Sequence, residues 1–362
     1  MSRATHPHSA VDRRDVLRAL GLGISSALLP AGVLATSRIT AQRVNLTTSG
    51  EAIITRAIPS SGEQVPAIGL GTFMTFDVLP GGPRDHLKEV MRLFWEAGGR
   101  VIDTSPLYGT AEVTVGDFAT ALGIGDQLFI ANKIWATGEY LGDVSHATRS
   151  LERSLQRLWR ERIDLMQCHS LVNADVVVPL LRAWKKEGQV RYVGVTHHEP
   201  AYTDLLADWV ERGGLDFVQV NYSVLERRAE ERLLPAAADR GAAVLVNMPF
   251  GKARLFKLVE GRPLPDFARE LGIESWAQYF LKWVISHPAV TCALPSTSNP
   301  AHVVDNMGAL RGPLPDRRTR ERMLRHLESI PGFDELAGTP WYPDKQYRGT
   351  VTRAQGELRA RQ

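Results

Sequence analysis

Gly69-Leu70-Gly71-Thr72-Phe73-Met74 ends a short apolar run that begins at Ala67, and the reading of its glycines decides the fold. A doubly wound dinucleotide-binding fold usually leaves its first strand through G-x-G-x-x-G, whose third glycine lets the first helix pack closely on the strand. Met74 occupies that third position, so the fingerprint is broken. Downstream, short apolar runs at residues 67–70, 100–103, 128–133, 163–169, 192–196, 217–221, 243–247 and 291–295 alternate with helical patterns at 85–97, 113–122, 143–158, 176–187, 202–212, 230–240, 275–286 and 301–309. Eight βα units without a break in composition predict an α/β fold of the closed (β/α)8 barrel type, a single domain over residues 42–362. Upstream, residues 53–58 and 64–66 flank the turn-rich Pro59-Ser60-Ser61-Gly62-Glu63, which reads as an N-terminal β-hairpin capping the barrel floor. The connection 248–274 is unusually long, and the tail beyond Gly312 carries Pro340-Trp341-Tyr342-Pro343; segments of this kind usually serve a site.

The composition is that of a folded globular chain: 362 residues, 44% hydrophobic and 23% charged. Two cysteines cannot make a disulfide framework or a structural zinc site, and neither an HExxH pair, paired CxxC motifs nor a Walker loop occurs. Cys168 and Cys292 fall in the fourth and eighth predicted strands, on opposite sides of a barrel, so both should stay unpaired. Residues 1–41 hold five Arg against two Asp, which accounts for the whole formal charge of +3. The body is therefore neutral, which argues against a nucleic-acid or anionic-membrane partner.

Within that leader, Asp12-Arg13-Arg14-Asp15-Val16-Leu17-Arg18 precedes an uncharged stretch, 19–35, rich in Gly, Ala and Leu and broken by Pro30. The stretch is too short and glycine-rich for a stable membrane span, and polar residues at helical spacing, which an amphipathic helix would need, are almost absent. The order of basic, apolar and small residues predicts a twin-arginine signal peptide and short linker over 1–41. The implied partner is the twin-arginine export machinery, and the implied location is periplasmic or otherwise exported.

Barrel active sites assemble at the carboxyl ends of strands. Asp103 ends the second predicted strand, Lys133 the third and His169 the fourth, while Tyr108 lies just beyond Asp103 in Asp103-Thr104-Ser105-Pro106-Leu107-Tyr108-Gly109. A phenol is a weak acid at neutral pH, and a neighbouring ammonium favours its phenolate. The expectation is therefore that Lys133 lowers the Tyr108 pKa, that Asp103 keeps Lys133 charged, and that His169 orients a carbonyl oxygen. Since no side chain delivers hydride, a nicotinamide cofactor is implied.

These motifs resemble the aldo-keto reductase family from about residue 54 to residue 309. Gly69-Leu70-Gly71-Thr72 is similar to its first-strand signature, and residues 103–112 fit Asp-Thr-Ala-x-x-Tyr-Gly-x-x-Glu with Ser105 in place of Ala. Ile130-Ala131-Asn132-Lys133-Ile134-Trp135 resembles its lysine strand, and residues 164–169 its histidine strand. Gln219-Val220-Asn221-Tyr222 resembles the sixth strand, and residues 294–306 the final cofactor segment. The resemblance implies a catalytic tetrad of Asp103, Tyr108, Lys133 and His169, an NADPH or NADH cofactor, and a small carbonyl substrate. It implies cofactor contacts at Gly71, Thr72, Thr196, His197, Gln219, Asn247, Phe250, Ser296, Thr297, His302, Asp305 and Asn306. Phe76 and Trp135 would line the substrate pocket, with Trp341 and Tyr342 as further candidates.

Three departures from the family pattern carry physical consequences. Thr196-His197 stands where Ser-Asn commonly holds the nicotinamide carboxamide, and Asn247-Met248-Pro249-Phe250 lacks the usual stacking Tyr. Ser296-Thr297 and His302 stand where Lys-Ser and Arg grip the 2′-phosphate of NADPH, so the preference for NADPH should be modest unless Lys252 or Arg254, candidate pyrophosphate contacts, folds back over the adenosine end. Two other functions compete with carbonyl reduction: a non-catalytic cofactor-sensing barrel acting as a subunit of another protein, favoured by these weakened contacts and the export signal, and a hydrolase using Asp103 and His169 as an acid–base pair.

Overall fold

The structure, a computed structural model, describes residues 52–79, 81–135 and 142–360, so the leader expected at 1–41 lies outside the described residues. An antiparallel hairpin, β1 (Thr55–Ala57) and β2 (Gln64–Pro66), precedes eight parallel strands. These are β3 (Leu70–Gly71), β4 (Val101–Asp103), β5 (Phe129–Ile134), β6 (Ile163–His169), β7 (Val190–His197), β8 (Phe217–Asn221), β9 (Ala243–Asn247) and β10 (Val290–Ala293), hydrogen-bonded in chain order.

The first and last strands meet. The Gly69 amide donates to the Ala293 carbonyl at 2.8 Å, Ala293 to Ala67 at 2.9 Å, and Gly71 to Pro295 at 3.0 Å, closing the (β/α)8 barrel. The glycines of the opening motif serve this seam. A Cβ on Gly71 would lie 2.4 Å from the Ser296 Oγ, and one on Gly69 2.8 Å from the Val101 carbonyl oxygen. Backbone has to pass where a side chain would sit.

Alternation along the strands sorts the core into two layers. In β5, Phe129 and Ala131 join an interior cluster with Leu165, Tyr192, Phe217, Leu245 and Cys292, while Ile130 and Ile134 join the layer shared with the helices. The rings of Phe129, Tyr192 and Phe217 pack at 5.6–5.9 Å between centroids, a favourable spacing for aromatic pairs. Ile58 and Val65 of the hairpin complete this interior cluster from below. The Tyr192 hydroxyl donates to Glu63 Oε2 at 2.6 Å and accepts from Ser61 Oγ at 2.7 Å, fixing the hairpin loop across the floor.

The helices of the βα units run over α1 (Asp85–Glu96), α2 (Ala111–Ala121), α3 (Ser145–Leu158), α4 (Ala174–Lys186), α5 (Thr203–Glu211), α6 (Leu233–Arg240), then α8 (Trp276–Ile285) and α9 (Pro300–Gly308). The long connection is more ordered than expected, containing the one-turn helix α7 (Arg254–Leu258) and a 3-10 segment at Asp266–Leu271. Two further helices follow the barrel, α10 (Arg317–Glu328) and α11 (Thr350–Ala360). Among the described residues, no helix is long and apolar enough to cross a membrane.

Candidate active site

The carboxyl ends of the strands open into a cleft of about 1880 Å³, lined by all four tetrad positions, all twelve expected cofactor positions and the tail from Pro340 to Arg348. β4 and β5 present Asp103 and Lys133 side by side. The Lys133 Nζ donates to Asp103 Oδ1 at 2.6 Å and to the Thr104 carbonyl at 2.8 Å, and Gln219 Nε2 donates to the same Oδ1 at 2.9 Å. Burial lowers the Lys133 pKa, and the attraction of Asp103 opposes that loss. Behind the pair, buried Glu112 of α2 accepts from Asn132, Ser154 and Arg157 at 2.6–2.9 Å, tying the strand that carries Lys133 to α2 and α3.

Tyr108 reaches the same site from the loop after β4, with its ring 4.8 Å from Lys133 Nζ and edge-on to His169 at 5.9 Å between centroids. The net shift at Tyr108 is upward, opposite to the lowering expected from Lys133. Burial, followed by the negative charge of Asp103 and the neighbouring Tyr342, holds the phenol well above its ordinary pKa. The physical reason is that burial outweighs the field of Lys133, whose charge is partly met by Asp103 at 2.6 Å. His169 is pulled down to about 2 by burial and then by Lys133, His198 and His197, which makes it a neutral imidazole. Its Nδ1 lies 3.2 Å from Ser105 Oγ. Asp103 is spent on Lys133 and Gln219, which leaves no acid–base couple of Asp103 with His169 for the hydrolase alternative.

The cleft wall beside the tetrad fits a nicotinamide. Gln219 accepts from Thr196 Oγ1 at 2.9 Å and donates to Asp103, which leaves one amide proton and one lone pair unused. Asn247 adds a buried Oδ1 that has no partner among the described residues. His197 Nδ1 accepts from the Glu199 amide at 3.1 Å, so the ring proton sits on Nε2, and burial lowers its pKa so that the ring stays neutral. Phe250 lines the cleft, but its ring packs on Phe256 and Phe280 at 4.8 and 6.4 Å. Phe76 is fully buried in the outer core layer, and Trp135 is 46% exposed; among the described residues neither lines the cleft.

The two loop cations are occupied. Arg254 donates to the carbonyls of Gly251, Leu336 and Ala337 at 2.8–3.2 Å. Lys252 Nζ lies 3.1 Å from the centroid of the Trp341 ring, and burial, with Arg254, brings its pKa down to about 7. The sequence reading overlooked the tail residues Lys345 and Arg348 and the loop residue Asp77, which sit in no periodic pattern. Lys345 and Arg348 line the cleft together with His302, whose pKa is lowered by burial and then by Lys345.

The sequence model of the Aldo/keto reductase family matches residues 67–321. The chain is 29% identical over 266 residues to Methylglyoxal reductase YeaE of Escherichia coli, covering 70% of this chain and 89% of that protein. It is 25% identical over 308 residues to an NADH-specific methylglyoxal reductase of the same organism, covering 69% of this chain and 91% of the other. Among solved structures, an aldo/keto reductase from Klebsiella pneumoniae in complex with NADP and acetate is 26% identical with a TM-score of 0.61, covering 74% of this chain and 93% of its own.

Proposed function

Because this chain belongs to the aldo/keto reductase family, and is thus an NAD(P)H-dependent oxidoreductase that reduces carbonyls, we propose that Tyr108 is the proton donor for small aldehydes and ketones. The observation that carries the reading is the buried Asp103–Lys133 pair beside Tyr108 and a neutral His169 at one barrel mouth. The cofactor, when bound, supplies hydride to the carbonyl carbon. Gln219, Thr196, Asn247 and the Nε2 proton of His197 offer polar partners for its carboxamide. His169 and Tyr108 together receive the carbonyl oxygen, and Tyr108, kept protonated by burial, donates its proton as negative charge develops there. Lys133 stabilises the phenolate left behind, and Asp103 holds Lys133 in position. The same engaged tetrad supports turnover over cofactor sensing alone.

The names of two relatives make methylglyoxal the first probe substrate. Purified protein mixed with NADPH or NADH and methylglyoxal should consume the reduced nicotinamide; no turnover with methylglyoxal or simple aldehydes, despite cofactor binding, would contradict the reading. The leader reading is part of the proposal. Arg13-Arg14 followed by the uncharged stretch 19–35 supports twin-arginine export of a folded reductase to the periplasm or beyond. Replacing both with Lys should leave the uncleaved chain in the cytoplasm, and unchanged export of that variant would contradict it.

A further inference from the structure

The segment between the barrel and α11 crosses the cleft and is fastened on both sides. At one end the Tyr342 amide donates to the Lys252 carbonyl at 2.9 Å, and Trp341 covers the Lys252 ammonium. At the other, buried Asp77 accepts from Thr350 Oγ1 at 2.7 Å and from the Val351 amide at 2.8 Å. Asp77 also accepts from the Thr110 amide at 3.0 Å, so one carboxylate ties the start of α11 to the loop that carries Tyr108. Gly349 permits this approach, since a Cβ there would lie 2.3 Å from the Asp77 carbonyl oxygen.

Between these fastenings stand Asp344, Lys345 and Arg348. Asp344 pairs with Lys257 at 3.1 Å and so is not available to neutralise its neighbour. Among the described residues, Lys345 and Arg348 have no ion-pair partner; both line the cleft that Ser296, Thr297 and His302 also line, and Lys345 is close enough to His302 to lower its pKa. Asp305, the acid in that wall, accepts from Gln278 Nε2 at 3.0 Å. The family's lysine and arginine are missing from this wall; of the other cations lining the cleft, Lys133 is paired with Asp103, Lys252 lies on Trp341, and Lys257 is paired with Glu260 and Asp344.

We propose that residues 341–351 form a strap over the bound dinucleotide, and that Lys345 and Arg348 on it recognise the 2′-phosphate of NADPH. The inference rests on the reading that the cleft holds NAD(P)H. It makes NADPH preference a property of the strap, removable without touching the nicotinamide end or the tetrad.

The test is titration of the full chain with NADPH and with NADH, followed by tryptophan fluorescence, for wild type, Lys345→Ala, Arg348→Ala, the double variant, and Lys345→Arg. Each alanine variant should weaken NADPH binding by about ten-fold, as loss of a charge-assisted contact does, with NADH affinity within two-fold of wild type. Lys345→Arg should restore most of the NADPH affinity. An unchanged NADPH-to-NADH ratio in the double variant, or equal weakening of both nucleotides, overturns the strap's role while leaving the reductase reading intact. A wild type that binds neither nucleotide overturns both.

Discussion

Tyr108 keeps its proton because it is buried beside a carboxylate, and His169 stays neutral because it is buried beside a cation. The signs set the pH behaviour. A His pKa lowered to about 2 leaves the imidazole uncharged at every pH where the protein would be assayed, and a phenol held above its ordinary value stays protonated to at least about pH 10. We expect kcat/KM for carbonyl reduction to be flat between about pH 5 and 9 as far as these two groups are concerned; a drop through about pH 6.5 would place a charged histidine in the mechanism. Lys133→Met should cut kcat by at least about a hundred-fold and also destabilise the fold by about 3–5 kcal/mol, since Asp103 would be left buried with only Gln219. Turnover and chemical denaturation of the same variant check both. The tetrad was legible because its members end strands or follow one closely. The sign of the shift at Tyr108 was not, because it is set first by how deeply the phenol is buried and then by its nearness to Asp103, neither of which residue type gives.

At the level of elements, the two glycines of the incomplete dinucleotide fingerprint make the barrel seam, where Gly71 faces Ser296. Strand and helix alternation was readable because strands such as β5 and β6 are buried on both faces and read as short, mainly apolar runs between helical patterns. The helices α10 and α11 escaped notice: α10 buries only Met323 and Leu327 of its twelve residues, too thin a stripe for a periodicity argument. The hairpin offers an energetic test, since Ile58 is fully buried against the barrel interior. Ile58→Ala should cost about 2–4 kcal/mol of stability, with cofactor affinity unchanged because the floor is at the opposite end from the cleft. Glu112→Ala removes the common acceptor of Asn132, Ser154 and Arg157, and should cost at least about 2 kcal/mol, measured by urea denaturation.

For the whole molecule, the barrel supplies a rigid mouth and the post-barrel tail supplies its cover, so the cleft belongs to both. Sequence reading found the mouth, where most contributions lie at or just after a strand end, and found only the aromatic part of the cover. Both cysteines are free and buried, Cys168 with its thiol pushed up to about 12, so they should titrate as two thiols only after unfolding. The claim on which the account rests is that Tyr108 donates the proton, and rapid mixing of the NADPH complex with methylglyoxal in wild type and Tyr108→Phe tests it directly. The account predicts a rate of nicotinamide oxidation at least about a hundred-fold slower in the variant, with the NADPH dissociation constant within a few-fold of wild type. A variant that oxidises NADPH within about three-fold of the wild-type rate would contradict it.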